Sequence, residues 1–146
     1  MSLSKQFIII YLSSQKLELH ALGRCTQYPV STALNGSGQK HDSGCTPLGK
    51  HAICEKIGEG APANTVFVGR QDTGEVYSEV LAQNNPNRAW ILTRILWLTG
   101  LEEGFNRGAG LDTKSRYIYI HGCPDRISMG VTGSAGCVRM RNKDII

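Results

Sequence analysis

The sequence predicts a mainly β domain: a β-sandwich or partly closed barrel of mixed sheets with one or two short helices. Its 146 residues are enough for one domain with an apolar core, without metals or crosslinks. Seventeen glycines indicate many turns, which suits short strands better than a helical bundle. Short apolar runs are separated by polar, turn-forming residues. No repeat or linker divides the chain, so we expect a single domain over residues 1–146.

The first third of the chain predicts three strands. Residues 7–12 form a continuous apolar run, and a Ser-Ser-Gln turn separates it from a second strand. That second strand alternates, with Leu17 and Leu19 on one face and charged or polar residues on the other. Residues 25–34 predict a third strand, and Pro29 places part of it at a sheet edge because proline has no backbone N–H.

The middle of the chain predicts a long loop followed by three strands. Residues 35–50 are polar and glycine-rich, and loops of this length in compact domains are usually functional or disordered. Residues 51–58 and 64–70 predict the next two strands. The stretch 88–98 is compatible with a buried helix, but its tryptophans and β-branched residues favour a long strand.

The last third predicts one clear strand and a terminal helix. Residues 100–112 form a glycine-rich connection, and residues 116–122 alternate between tyrosine and isoleucine. His121 is therefore expected at the end of a strand. The final residues predict the start of a helix capped by Asn142.

The composition argues against several classes of protein. The net charge of +4 is scattered, without a basic stripe interleaved with aromatic residues, so we expect no nucleic-acid partner. Five cysteines are an odd number with no C-x-x-C pair, which disfavours a disulfide framework or a zinc ribbon. No run of about 18 apolar residues could span a bilayer, and no signal peptide is visible.

A metal site is not expected either. Three cysteines and three histidines lie outside the motif described below: Cys25, Cys45, Cys54, His20, His41 and His51. Their spacing along the chain matches no familiar set of metal ligands, so we expect no metal and no cofactor. The three cysteines are expected to be core or loop residues without a role.

The candidate catalytic residues lie near the end of the chain, in the stretch from His121 to Met140. A cysteine nucleophile needs a base, donors for the developing oxyanion, and room for a substrate. His121 supplies a base and Cys137 a thiol, and the glycine-rich connection between them lets the chain fold back. Gly136 allows backbone N–H groups to approach a substrate carbonyl, and Gly122 leaves space beside the histidine.

This stretch resembles the signature of the L,D-transpeptidase catalytic domain family (YkuD-type). That signature is a His-Gly pair, a loop of similar length, and then Ser/Thr-His-Gly-Cys-Ile/Val-Arg-Met/Leu. The chain has His121-Gly122 and then "SAGCVRM" at residues 134–140. The stretches "YPVSTAL", "CTPLGKHAI" and "RYIYIHG" extend the resemblance over nearly the whole chain.

The resemblance implies acyl transfer through a thioester, with peptidoglycan stem peptides as the partners. Cys137 would attack the carbonyl of an L,D-peptide bond in a stem tetrapeptide, releasing D-Ala, and an amine of another stem would take the acyl group. His121 is the expected general base, and backbone N–H groups near Gly136 bind the oxyanion. The carbonyl of Gly122, or one nearby, is expected to fix the imidazole tautomer, because no aspartate is obviously placed to do so.

The resemblance also carries expectations about binding and location. Arg139 is expected to organise the site or contact a substrate carboxylate, and Ser134 to contact substrate. No cofactor or metal is needed, and carbapenem-type β-lactams should acylate Cys137. The family implies the periplasm or cell envelope, and we expect a monomer.

The chain departs from the family pattern in three places. Ala135 stands where many members have a second histidine, which we interpret as tuning rather than inactivation. Cys123 replaces a small Thr or Ser, and we expect it to have no role in the reaction. The alternative is a disulfide or other redox link with Cys137. The chain also stops where members usually continue through a helix to a closing strand.

Three other functions remain open on the sequence. Water as acceptor would make the same site an L,D-carboxypeptidase. The same dyad could serve a cysteine peptidase acting on ordinary proteins. A catalytically weakened module that only binds peptidoglycan is the third.

Overall fold

Residues 6–146 fold into nine strands and two short helices. The structure is a computed structural model that describes residues 6–146. Its elements are β1 (Phe7–Tyr11), β2 (Lys16–Ala21), β3 (Arg24–Ser31), β4 (His51–Ile57), β5 (Thr65–Val68), β6 (Gln71–Val76), α1 (Glu79–Asn84), β7 (Ile91–Gly100), β8 (Tyr119–Cys123), β9 (Val138–Arg141) and α2 (Asn142–Ile145). The expected mainly β fold with two short helices is confirmed.

The strands form one continuous mixed sheet that does not close on itself. Their order is β1-β2-β3-β9-β8-β7-β5-β6, and β4 also pairs with β7. Strands β8 and β9 are parallel, and every other pair within residues 6–146 is antiparallel. A parallel pair requires a long crossover, which residues 124–137 provide.

Strand β7 is the centre of the sheet. It pairs with β8 along one edge, and with β5 and then β4 along the other. Its pairing with β8 shifts register between Leu92 and Ile95. Thr93 lies in this bulge with a φ of 74°, which is rare for a β-branched residue. Tertiary contacts must therefore hold Thr93 in place.

The two faces of β8 and β9 pack into different apolar clusters. Ile118, Ile120, Val138 and Met140 belong to the larger cluster, which also receives side chains from β2, β3 and β7. Tyr119 packs on the opposite face in a smaller cluster that Cys137 contacts. This alternation decides which side chains can meet at the site described below.

The first three predicted strands are present. Pairing of β3 with β9 is limited to Val30 and Ser31. Pro29 therefore lies where β2 is the only partner strand of β3, as the sequence predicted. The stretch expected as a long strand is β7, and the polar loop of residues 35–50 contains no strand or helix. Within residues 6–146, neither helix is long and apolar enough to cross a bilayer.

Other details of the prediction were wrong. The expected position of His121 at a strand end is incorrect: β8 begins at Tyr119, so His121 is its middle residue. Tyr117 lies before the strand, with a φ of 57°. Asn142 is not a helix cap, because Arg141 holds that position and Asn142 is buried. Strand β6 and helix α1 were missed, since their exposed residues lack a clear apolar period.

The turn between β2 and β3 sets the register of that hairpin. Ala21 pairs with Arg24, which leaves Leu22 and Gly23 as a two-residue loop. Their φ angles are 53° and 71°, the combination typical of a type I′ turn. Asparagine and glycine favour these positions, whereas the Cβ of leucine opposes a left-handed backbone. Leu22 is also 77% exposed, so it contributes little packing.

We expect Leu22→Asn to raise the free energy of unfolding by about 1 kcal/mol, because asparagine tolerates the left-handed backbone that leucine resists. Urea unfolding of the two proteins measures the difference. Leu101→Asn is the matched control, since Leu101 is 52% exposed and has no left-handed φ. Equal effects of the two substitutions would contradict the turn as the cause.

Candidate active site

His121 lies on β8, Cys137 immediately precedes the adjacent parallel strand β9, and the two are on the same face of the sheet. His121 is opposite Arg139, and Ile120 is opposite Val138. Cys137 precedes Val138 and packs against Tyr119, on the face opposite the larger apolar cluster. His121 and Cys137 are therefore diagonal neighbours, one strand apart and two residues along, with Cα atoms about 8 Å apart by strand geometry. Their side chains extend from the same face.

The imidazole of His121 is buried and held in one orientation. Its Nδ1 lies 2.6 Å from the carbonyl oxygen of Gly122. A carbonyl can only accept, so Nδ1 carries the proton and Nε2 keeps its lone pair. Burial lowers the pKa of His121 to about 4, the nearby charge of Arg139 also lowers it, and the Gly122 contact opposes both. The ring is neutral at pH 7.

The thiol of Cys137 is half-buried and contacts two backbone groups. Its Sγ accepts from the N–H of Tyr119 at 3.4 Å and lies 3.5 Å from the carbonyl oxygen of Tyr117. Burial raises the pKa of Cys137, while the Tyr119 N–H and the charges of Arg116 and Arg139 lower it. Among the hydrogen bonds of residues 6–146, none joins this sulfur to the His121 ring.

The turn before Cys137 is built by Ser134. The hydroxyl of Ser134 donates to the carbonyl oxygen of Cys137 at 2.5 Å and accepts from the N–H of Gly136 at 3.2 Å. The backbone of Ser134 also bridges to Ala33 and accepts from the N–H of Leu34. The side chain of Ser134 is thus occupied within the turn, as is the N–H of Gly136.

Gly136 is required by the space around it and by its backbone. Its φ is 131°, and a Cβ would lie 3.1 Å from both the Cys45 carbonyl oxygen and Cδ1 of Ile118. Thr46 donates to the Gly136 carbonyl oxygen at 2.9 Å and accepts from the Ala33 N–H. The loop of residues 35–50 therefore packs directly on the turn that carries the thiol.

Arg116 fastens the same loop and was not identified from the sequence. Its guanidinium donates to the carbonyl oxygens of Cys45 at 2.6 Å and Gly38 at 3.2 Å. Its charge also lowers the pKa of Cys137. A cavity of about 380 Å³ opens beside the loop, and Lys40 and Cys45 are among its lining residues. In the sequence, Arg116 stands at the end of an alternating strand segment, where a charged residue is usually exposed to solvent. The sequence therefore gave no indication that Arg116 binds the loop.

Gly122 packs closely against Leu92 and Asn142. A Cβ at this position would lie 2.5 Å from the carbonyl oxygen of Leu92 and 2.5 Å from Oδ1 of Asn142. Any side chain would push β8 away from β7, so glycine is needed to keep His121 in register.

A buried polar cluster supports β8 from this side. Thr93 donates to Oδ1 of Asn142 at 2.6 Å and accepts from the N–H of Asn64. The amide nitrogen of Asn142 donates to the carbonyl oxygen of Cys123 and to Oδ1 of Asn64, both at 2.9 Å. These contacts explain the left-handed Thr93 and the burial of Asn142.

Arg139 is the positive charge that acts on both candidate catalytic groups. Its Nη2 donates to Ser31 at 2.9 Å. Its Nε is buried and has no partner within residues 6–146. Its charge lowers the pKa of His121 and of Cys137. The Nε–H is therefore a buried donor that has no acceptor among the described residues.

An aromatic and cationic surface lies beside Cys137. The guanidinium of Arg70 stacks over Trp97 at 4.4 Å and over Tyr117 at 5.3 Å from the ring centroids. Arg70 also donates to the hydroxyl of Tyr119 at 3.1 Å. Tyr117 and Tyr119 supply the two backbone groups that contact the Cys137 sulfur.

The two other unusual residues of the motif are Ala135 and Cys123. Ala135 is exposed. Cys123 is buried, donates to the Met140 carbonyl oxygen at 3.4 Å, and has its pKa raised to about 11 by burial. All five cysteines are free thiols.

Comparison with known proteins identifies the family. The family model of the YkuD L,D-transpeptidase catalytic domain matches residues 5–146. The chain therefore belongs to the L,D-transpeptidase catalytic domain family. No curated protein matches the chain.

We expect the protein to lose stability as the pH falls from 6.5 towards 4. Folding lowers the pKa of His121 from 6.5 to about 4, so the unfolded chain binds more protons in this interval. The loss should reach at most about 3 kcal/mol, and it should vanish above pH 6.5. Urea unfolding across this range measures it. His121→Gln cannot titrate, so an unchanged pH dependence in that variant would contradict this origin.

Proposed function

We propose that the protein is a cysteine-dependent L,D-transpeptidase that cross-links peptidoglycan by acyl transfer from a stem tetrapeptide. The observation that carries this proposal is the position of His121 and Cys137 on one face of β8 and β9, with Nε2 of the imidazole unprotonated. Membership of the family supports an enzyme acting on peptidoglycan in the cell envelope. Cys137 is the proposed nucleophile and His121 the proposed general base.

The two groups react as a neutral pair. Burial favours the neutral imidazole and the neutral thiol, so a preformed imidazolium–thiolate pair is disfavoured in the free enzyme. We therefore place proton transfer from Cys137 to Nε2 of His121 at the moment of attack on the carbonyl. The Nδ1–H contact with Gly122 then stabilises the imidazolium, in the role that an aspartate has in a triad.

The oxyanion is stabilised by backbone donors at the turn. The N–H of Gly136 is occupied by Ser134, whereas the hydrogen bonds of residues 6–146 include none from the N–H of Cys137. We assign the N–H of Cys137 as the principal donor. Gly136 has no side chain, which leaves room for the substrate carbonyl to approach the turn. Ser134 positions the turn instead of binding substrate.

The leaving D-Ala and the stem peptide carry carboxylates, and two arginines suit them. The guanidinium of Arg139 is half-buried, and its charge acts on both His121 and Cys137, so it can donate to one carboxylate at the reacting end. Arg70, stacked on Trp97 and Tyr117, presents a second positive charge beside the thiol. Aromatic faces next to it can cover the apolar parts of the peptide.

Incubation with a disaccharide-tetrapeptide tests the proposal directly. We expect mass spectrometry to show a cross-linked dimer and free D-Ala with wild type, and no product with Cys137→Ala. Cys54→Ala should behave as wild type, because Cys54 is an exposed thiol on β4. A tripeptide product alone would establish a carboxypeptidase. Hydrolysis of casein without muropeptide turnover would establish a cysteine peptidase. Binding to sacculi without any product would leave a wall-binding module.

The ionisation of Cys137 has its own test. Because burial raises the pKa of this thiol above its ordinary value, we expect its alkylation by iodoacetamide to keep accelerating as the pH rises through the neutral range, without a plateau there. Peptide mass spectrometry reports the rate at Cys137 apart from the other cysteines. A plateau near pH 6 to 7 would instead show a thiolate paired with an imidazolium.

A further inference from the structure

Three potential metal ligands of different chemistry meet on the hairpin of β2 and β3. Glu18 and His20 are two residues apart on β2, and Cys25 lies on β3. One ligand atom from each lies within 4.8 Å of the others. This is the only such group within residues 6–146. No function proposed above uses any of these residues.

The type I′ turn brings these residues together. With Leu22 and Gly23 as the loop, His20 is directly opposite Cys25. Opposed residues of an antiparallel pair have Cβ atoms about 4.5–5.5 Å apart and project from the same face. Glu18 precedes His20 by two residues and so shares that face. Spacing along the chain hides this group, because its ligands meet across strands.

The two distances from the His20 ring to the other ligand atoms are close to those of a tetrahedral zinc ion. With Zn–N about 2.05 Å, Zn–S about 2.3 Å and Zn–O about 2.1 Å, tetrahedral angles separate N from S by about 3.6 Å and N from O by about 3.4 Å. Nε2 of His20 lies 3.7 Å from Sγ of Cys25 and 3.0 Å from Oε1 of Glu18. Shifts of a few tenths of an ångström would admit the ion.

Neighbouring side chains hold two of the ligands in position. The ring of His20 stacks on Phe7, with centroids 4.5 Å apart and planes 7° from parallel. The carboxylate of Glu18 accepts from the amide of Gln27 at 3.2 Å and from the hydroxyl of Tyr11 at 3.3 Å. Such outer contacts are typical of metal sites.

We infer that Glu18, His20 and Cys25 bind a zinc ion that clips β2 to β3. Thiolate, imidazole and carboxylate together suit Zn²⁺, whereas Ca²⁺ and Mg²⁺ prefer oxygen ligands alone. The ion takes Nε2 of His20, Oε1 of Glu18 and Sγ of Cys25, and the thiol proton is released to solvent. Cys25 is exposed, so water can occupy the fourth position. The clip strengthens the stretch of β3 that has β2 as its only partner strand.

Cobalt and zinc titrations of reduced protein test the site. We expect Co²⁺ to produce a thiolate charge-transfer band and the visible absorption of a tetrahedral ion, and Zn²⁺ to abolish both at one equivalent. Zn²⁺ should also raise Tm, whereas Mg²⁺ and Ca²⁺ should not. Cys25→Ser should weaken zinc binding by more than 100-fold, since even outer contacts cost about 10- to 100-fold. Gln27→Ala should weaken it by about 10-fold.

Two cysteine controls locate the ion. Cys54→Ser removes an exposed thiol from β4 and should leave zinc binding unchanged. Cys137→Ser should also leave it unchanged, which separates this site from the proposed catalytic thiol and keeps its failure distinct from that of the transpeptidase. Retained affinity in Cys25→Ser, or loss of the cobalt band in Cys137→Ser, would overturn the inference. His20→Gln provides a second variant, and circular dichroism checks that each variant folds.

Discussion

The parallel pairing of β8 with β9 is the constraint on which the candidate site depends. It places His121 opposite Arg139 and Cys137 just before β9, on the same face as the imidazole. A shift of one residue would turn either side chain into the apolar cluster on the other face. Gly122 fixes that register, because only a residue without Cβ can sit against Leu92 and Asn142. The relative positions of His121 and Cys137 therefore depend on close backbone packing at Gly122.

Burial sets the ionisation states of His121 and Cys137. It keeps the imidazole and the thiol neutral, and three groups partly offset it at the sulfur: the Tyr119 N–H and the charges of Arg116 and Arg139. Arg116 also ties down the loop of residues 35–50, so one side chain both holds this loop and lowers the pKa of the Cys137 thiol. Arg116 thus contributes both to the stability of the loop and to the ionisation of Cys137. Such a double role is common for buried polar groups at functional sites.

The outer hairpin shows the same dependence on register at the other end of the sheet. In the hairpin of β2 and β3, a two-residue turn aligns His20 with Cys25. At β8 and β9, the alignment is instead set by the crossover between two parallel strands. A metal clip would stiffen strands that have few neighbours, while the site at β8 and β9 is supported by strands on both sides. The two sites use separate cysteines, so their chemistry is independent.

The sequence by itself determined the mainly β class, most strand positions, and the His-Gly and Ser-Ala-Gly-Cys motifs, because these follow from local period and short-range spacing. It did not determine that His121 lies within a strand, that Ser134 closes a turn, or that Asn142 is a buried contact and not a helix cap. It also gave no sign of Arg116 or of the group on the hairpin. Each of these depends on contacts between residues distant along the chain, which strand pairing decides and local pattern cannot encode.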